Sequence, residues 1–281
     1  MADSIKEGFM KKLLFALMLL VSPMAFGQSV PLSAFGTAIG GFNEVFKTPL
    51  VTIPSWAAQH KLYIFNAMAV NGSGGNEDIA YVTKMADAGW KWATITAAST
   101  PDATDDTTDA QDVGAGDMSL YTTTNNDGWL ACATRQFNII GFTVSQADGG
   151  GAVYAYKYYN GSSMATLTTL HIPANYSSTG DKVHVFYAPS DWAKGTTSGV
   201  STSLGSYYCI EGIASTAPAQ ATLGTIAWLG QANAVDFDVP DTVQSTFNPS
   251  VPLELGANDT FGCYFETANA SNACSALWGA K

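Results

Sequence analysis

From Trp129 onward the chain is a series of short apolar runs cut by small polar residues: "WLACA", "FNIIGFTVS", "AVYAYKYYN", "KVHVFYAP", "SYYCIEGIA" and "LGTIAWLG". Each is rich in β-branched and aromatic residues and is bounded by Gly, Asn, Asp or Ser, which predicts strands separated by turns. In "FNIIGFTVS" apolar side chains fall on both parities (Phe137 and Ile139; Ile140, Phe142 and Val144), so this strand is expected in a sheet interior, covered on both faces. Upstream, "KLYIFNAMAV" and "WKWATITAA" read the same way. "IAYVTKMADAGWKW" is ambiguous, because Ile79, Val82, Met85 and Ala86 also suit a short helix ending before Gly89; we read it as strand. At the C-terminal end, Pro240, Pro249 and Pro252 mark edges or loops, and "DTFGCYFET" with "ACSALWGA" suggests a closing hairpin.

The stretch "YAYKYYNGSSMATLTTL" carries the densest aromatic pattern. Alternation places Tyr154, Tyr156 and Tyr158 on one face and Ala155, Lys157 and Tyr159 on the other. Asn160 and Gly161 both tolerate positive φ, which predicts a two-residue type I′ hairpin turn. Three tyrosines on one face either pack against a second sheet or form an exposed ladder, and packing is the simpler expectation.

No repeat of solenoid period and no heptad pattern occurs. The expected fold is all-β, an antiparallel β-sandwich of jelly-roll type with one or two packed sandwich domains and little helix. We divide the chain into residues 1–27 (signal peptide or N-terminal arm), 28–115 (N-terminal β region), 116–223 (central β-sandwich) and 224–281 (C-terminal β region).

The N-terminal part supports export. Lys11 and Lys12 precede an apolar run from Leu13 to Val21, followed by small residues Ala25 and Gly27, the order of a secretory signal peptide cleaved after Gly27. The run is shorter than the ~20 residues of a membrane span, so no stable span is expected. A mature chain starting at Gln28 establishes export, whereas retention of Ser4 to Val21 marks a buried arm. Four cysteines, an even number, fit an oxidising compartment. Cys263 and Cys274 flank a polar turn and are expected to pair; for Cys132 and Cys209 a bridge and buried thiols are both open.

Composition agrees with strands. Charged residues make up only 12% of the chain, too few for many solvated helices. A formal net charge of −11 and 12 basic residues, with no basic run after Lys12, exclude a nucleic-acid surface.

Residues 137–218 then show a particular order: an aromatic strand, Asn-Gly, a strand ending in Pro-x-Asp-Trp (189–192), and Gly-x-Tyr-Tyr-x-Ile (205–210). This resembles a β-sandwich module of tailed-phage structural proteins and phage-derived contractile systems. Met164 stands where that pattern has Trp, and Glu211 where it has Arg. The resemblance implies a non-enzymatic structural protein, located in a virion or secreted, whose partners are copies of itself or other assembly proteins. It brings no catalytic residues.

Candidate chemistry is sparse. His60, His171 and His184 lie in no metal motif, and neither a nucleophile elbow nor a phosphate loop is present. The acidic segment containing Asp102, Asp105, Asp106, Asp109, Asp112 and Asp117 has the oxygen-rich character of calcium loops but lacks the EF-hand spacing. Asp102, Asp105, Asp106 and Asp109 are its first candidate ligands, against a solvated loop as the simpler reading. Asp236, Asp238 and Asp241 form a second acidic group. Glu44, Glu77, Glu211, Glu254 and Glu266 show no glycosidase arrangement, so no enzyme is expected. The alternative function is an exported carbohydrate-binding sandwich. Trp90, Trp92, Tyr158, Tyr159 and Trp192 would then stack on glycan rings.

Overall fold

A computed structural model describes residues 33–34, 62–96, 102–112, 118–171, 176–195, 206–256, 258–266 and 271–280. The signal peptide or arm expected at residues 1–27 lies outside the described residues. In chain order the strands are β1 Ser33–Ala34, β2 Leu62–Val70, β3 Glu77–Lys84, β4 Trp90–Thr96, β5 Asp102–Asp105, β6 Met118–Tyr121, β7 Gly128–Ala133, β8 Ile139–Gln146 and β9 Val153–Tyr159. There follow β10 Met164–Thr166, β11 Thr169–His171, β12 Gly180–Phe186, β13 Tyr208–Thr216, β14 Thr222–Val239, β15 Gln244–Phe247, β16 Leu253–Leu255, β17 Thr260–Phe265 and β18 Ala273–Ala280. Among the described residues one short α-helix, α1, spans Thr107–Gln111. The fold class is the expected one: all-β and sandwich-like, with every strand pairing antiparallel.

Three sheets form. The central sheet has the order β11-β12-β8-β14-β3-β17, with β6 also on β14; a second has the order β10-β9-β13-β7-β4-β5; a third has β1-β18-β2-β15 with β16 on β2. Strand β14 organises them, because its first half pairs with β8 and its second half, from Gly230 on, pairs with β3. The boundary drawn at 223/224 therefore falls inside one strand, and β2 to β5 from the first region are shared among all three sheets.

Alternation along these strands places two cores on one face of the central sheet. Ile140, Phe142, Val144, Ala227, Leu229 and Phe186 meet Trp90, Trp92, Trp129, Tyr156 and Ile210 of the second sheet. Further along, Ile79, Tyr81, Phe261, Cys263 and Phe265 meet Leu62, Ile64, Ala67, Ala69, Cys274, Ala276 and Trp278 of the third. As expected, β8 is interior, with Ile139 in one cluster and Ile140 and Phe142 in another. The segment left ambiguous between helix and strand is strand β3, a 3-10 turn at Asp87–Gly89, and strand β4.

The opposite face of the central sheet carries a third cluster of Ala80, Val82, Ile139, Val183, Val185, Trp228 and Tyr264. His171 Nδ1 on edge strand β11 lies 3.5 Å from the Asp78 carboxylate on β3. In a flat sheet these strands, four places apart, would be separated by roughly 19 Å at ~4.8 Å per strand. The sheet is therefore rolled around the third cluster.

Two tryptophans lie across glycines on neighbouring strands. Gly141 pairs with Trp228 and Gly212 with Trp129, and a Cβ at either glycine would meet the indole at 2.2 and 2.4 Å. The side chains that β14 and β7 need for bulk thus use space vacated on the adjacent strand. Gly212→Ala is expected to cost about 2 kcal/mol by overpacking, measured by urea unfolding; a neutral result would show that Trp129 has room to shift.

The cysteines pair as Cys132–Cys209 and Cys263–Cys274. The first joins facing residues of neighbouring strands, with Cα atoms 4.1 Å apart. The second joins β17 of the central sheet to β18 of the third. Here the expected closing hairpin is corrected: β17 pairs with β3 and β18 with β2. The reason is that Phe261, Cys263 and Phe265 face Cys274, Ala276 and Trp278 across a core, so the two strands contribute apolar faces from opposing layers.

Candidate functional site

The five residues offered as a sugar-stacking platform are not brought together on a surface. Trp90, Trp92 and Trp192 are 1%, 0% and 5% exposed and lie in the first core. Trp92 stacks on Trp129 with centroids 5.1 Å apart, and the Trp192 indole N–H donates to the Cys209 carbonyl at 3.2 Å. Stacking on a sugar needs an accessible ring face, so these three tryptophans are corrected to core residues. Tyr158 and Tyr159 are half-buried on opposite faces of β9; Tyr158 donates to Asp191 at 2.8 Å and Tyr159 to the Gly161 carbonyl at 2.9 Å.

The tyrosine face packs as expected: Tyr154, Tyr156 and Tyr158 all lie against the first core. The turn that follows differs from the two-residue form. Tyr159 pairs with Met164, leaving residues 160–163 as the loop, and Gly161 alone takes a positive φ, of 96°. The Asn160 carboxamide oxygen accepts from the Ser162 and Ser163 backbone N–H groups at 3.0 and 2.9 Å. This side-chain capping replaces the backbone pairing of the tighter turn.

The acidic segment folds as β5 and α1 around a cleft of about 430 Å³ lined by Lys91, Asp105, Asp106, Thr107, Thr108, Asp109 and Gln111. Asp105 accepts from the Thr107 N–H at 3.0 Å, and hydrogen bonding from Thr107 holds its carboxyl below the usual range. Asp106 accepts from the Thr94 hydroxyl at 2.9 Å; burial, with repulsion from Asp109, pushes its carboxyl up. These two carboxylates fasten the entry to α1 onto β4. Asp102 lies on β5, Asp112 just beyond α1, and Asp117 outside the described residues. Among the described residues no three His, Cys, Asp or Glu side chains gather as a metal site.

The polar groups best organised by the fold lie inside the first core. Tyr156 and Tyr176 share a hydrogen bond of 2.7 Å, and Tyr176 reaches His184 Nε2 at 2.6 Å. Trp129 donates to the Tyr121 hydroxyl at 2.8 Å, and Tyr154 donates to Asp148 at 2.7 Å. Burial pushes Tyr156 up to about 12 and Tyr121 and Tyr176 well above the ordinary tyrosine value. It holds His184 down to about 3, with His171 adding repulsion. All four groups are enclosed; the hydrogen bonds satisfy the three tyrosine hydroxyls and His184 Nε2 and fix ring positions, while His184 Nδ1 is buried without a hydrogen-bond partner among the described residues. The sequence pattern places His184 on a strand and in no metal motif, but gives no sign of its tyrosine partners, which come from β9 and from the loop before β12.

Sequence reading also missed a surface feature at the turn between β14 and β15. Phe237 and Val243 are 50% and 44% exposed there, interleaved with Asp236, Asp238 and Asp241. Asp238 and Thr242 have φ of 51° and 63°. A left-handed conformation is rare for a β-branched residue such as threonine. Asn71, fully buried, holds this turn in place: its carboxamide donates to the Val239 and Gly75 carbonyls, both at 2.6 Å. Its backbone N–H donates to Val243 at 3.1 Å and its carbonyl accepts from Thr242 at 2.8 Å. The Asp triplet was visible in the sequence; the anchoring by Asn71, distant in the chain, was not.

Searches of known protein families, curated proteins and solved structures match nothing to this chain. The likeness of residues 137–218 to phage modules thus rests on the sequence pattern alone. Beyond the fold, the two disulfides indicate an oxidising environment. Among the described residues no helix is long and apolar enough to cross a membrane.

Proposed function

We propose that the chain is a non-enzymatic structural protein of a virion or extracellular assembly, a disulfide-stapled β-sandwich that makes subunit contacts. The observation that carries this reading over a sugar-binding one is the burial of Trp90, Trp92 and Trp192 in the first core. The aromatic content serves a rigid body in which one long strand joins two cores and a cystine fastens two layers. That construction suits a part that bears load between neighbours. The order of elements over residues 137–218, with its resemblance to phage sandwich modules, supports the same reading. Calcium at the acidic segment is no part of it, because Asp105 and Asp106 are engaged in the turn they form.

A glycan array probed with the folded protein is the discriminating experiment. The expected result is no saturable binding across a broad panel; saturable binding lost on Tyr159→Ala, with folding unchanged, would favour the carbohydrate reading.

A further inference from the structure

We infer that the turn between β14 and β15 is a docking point for a second protein that presents an apolar pocket rimmed by lysine or arginine. It gives the proposed assembly protein its partner chemistry, and so rests on that reading. The pairing of β14 with β3 slips between Asp236 and Val239, and this bulge sets Phe237 out from the sheet with half its surface in solvent. The Asp238 N–H is held by the Asp78 carboxylate at 3.0 Å, and the Gly74 N–H by Asp241 at 3.0 Å. Together with the Asn71 contacts, these bonds fix both sides of the turn in a left-handed backbone that Thr242 would not adopt alone. An exposed aromatic on a rigid support loses little entropy on binding, which is what gives an anchor residue its strength.

Charge selects the partner. Asp236, Asp238 and Asp241 flank Phe237 along the chain, the Asp236 carboxylate also accepting from the Ser245 hydroxyl, and none forms an ion pair among the described residues. A complementary pocket is therefore cationic at its rim. A second copy of this chain fits poorly, since its formal charge is −11. Of its described basic residues, Arg135 is paired with Asp259 and Lys157 with Glu211, while Lys84, Lys91, Lys182 and Lys194 stand on separate segments. An anionic membrane is disfavoured by the same carboxylates.

The test uses isotope-labelled protein titrated with a blocked peptide of alternating leucine and arginine, with oligoarginine and an alternating leucine–glutamate peptide as controls. Saturable amide shifts centred on Phe237, Asp238 and Val243 are expected with the first peptide alone. Phe237→Ser should weaken them at least tenfold, a loss of about 1.4 kcal/mol. Val251→Ser, at an apolar residue 74% exposed on another loop, should leave them unchanged. Absence of shifts at the tip, equal binding by oligoarginine, or equal binding by Phe237→Ser overturns the inference. So does a Phe237-dependent dimer in sedimentation, which would make a second copy the partner. Because the probe reads the tip directly, its failure is distinct from failure of the assembly reading, which concerns particles.

Discussion

Replacing Cys132 and Cys209 together by alanine is expected to lower the unfolding free energy by about 4 kcal/mol, against about 3 kcal/mol for Cys263 and Cys274. The first bridge closes a separation of 77 residues and the second one of 11, so the first removes more freedom from the unfolded chain. Its native surroundings leave little compensation. Both sulfurs are fully buried among Ala93, Ile95, Leu130 and Ile213, where alanine keeps the apolar character but gives up contact. Urea unfolding of the two double variants measures the difference. A larger loss for Cys263 and Cys274 would mean that fastening the second core across its two layers matters more than the length of the loop closed.

Acidification is expected to destabilise the protein through His184. Its imidazole is enclosed by Tyr156, Tyr176, Trp129 and Phe142, and burial holds its pKa at about 3 against an ordinary 6.5. Between those values the unfolded chain binds a proton at this ring and the folded chain does not. The contribution is thus fully present above pH 6.5 and is lost as pH falls toward the folded value. Lowering pH from 6.5 to about 4 should remove roughly 3 kcal/mol. Glu211 works in the opposite sense, since burial raises its carboxyl and favours the folded state at low pH. The comparison of wild type with His184→Gln isolates the histidine: the variant should lack this part of the pH dependence. A His184 ring resonance titrating near 6.5 in the native protein would contradict the account.

Much of the layered fold could be read from local pattern. Alternation in "AVYAYKYYN" placed Tyr154, Tyr156 and Tyr158 on the core side, and two-sided apolarity placed β8 in a sheet interior. What local pattern does not carry is partner choice between distant strands. β17 and β18 have the spacing of a hairpin, yet each finds a different neighbour because their apolar faces oppose one another across a core. The 18-residue strand β14 shows the same limit, since its bulges let one strand serve two neighbours in succession.

The candidate site was legible only in part. Trp and Tyr have the same composition signal whether they stack on a ligand or fill a core, and the Gly212 notch that receives Trp129 is visible only once the strands are in register. The exposed Phe237 follows from a bulge and from anchoring by Asn71, 166 residues earlier in the chain (237 − 71). Neither has a local sequence mark. The Asp236, Asp238 and Asp241 group was legible as charge, and the structure adds the exposure of Phe237 and Val243 beside them in the chain.

The assembly reading is tested most directly by quantitative mass spectrometry of density-gradient fractions from cells that produce the chain. The account predicts the protein in a particle fraction, at constant ratio to the other particle proteins and with both disulfides formed. Recovery solely as free monomer, with no fraction in which it keeps a constant ratio to any other protein, would contradict it.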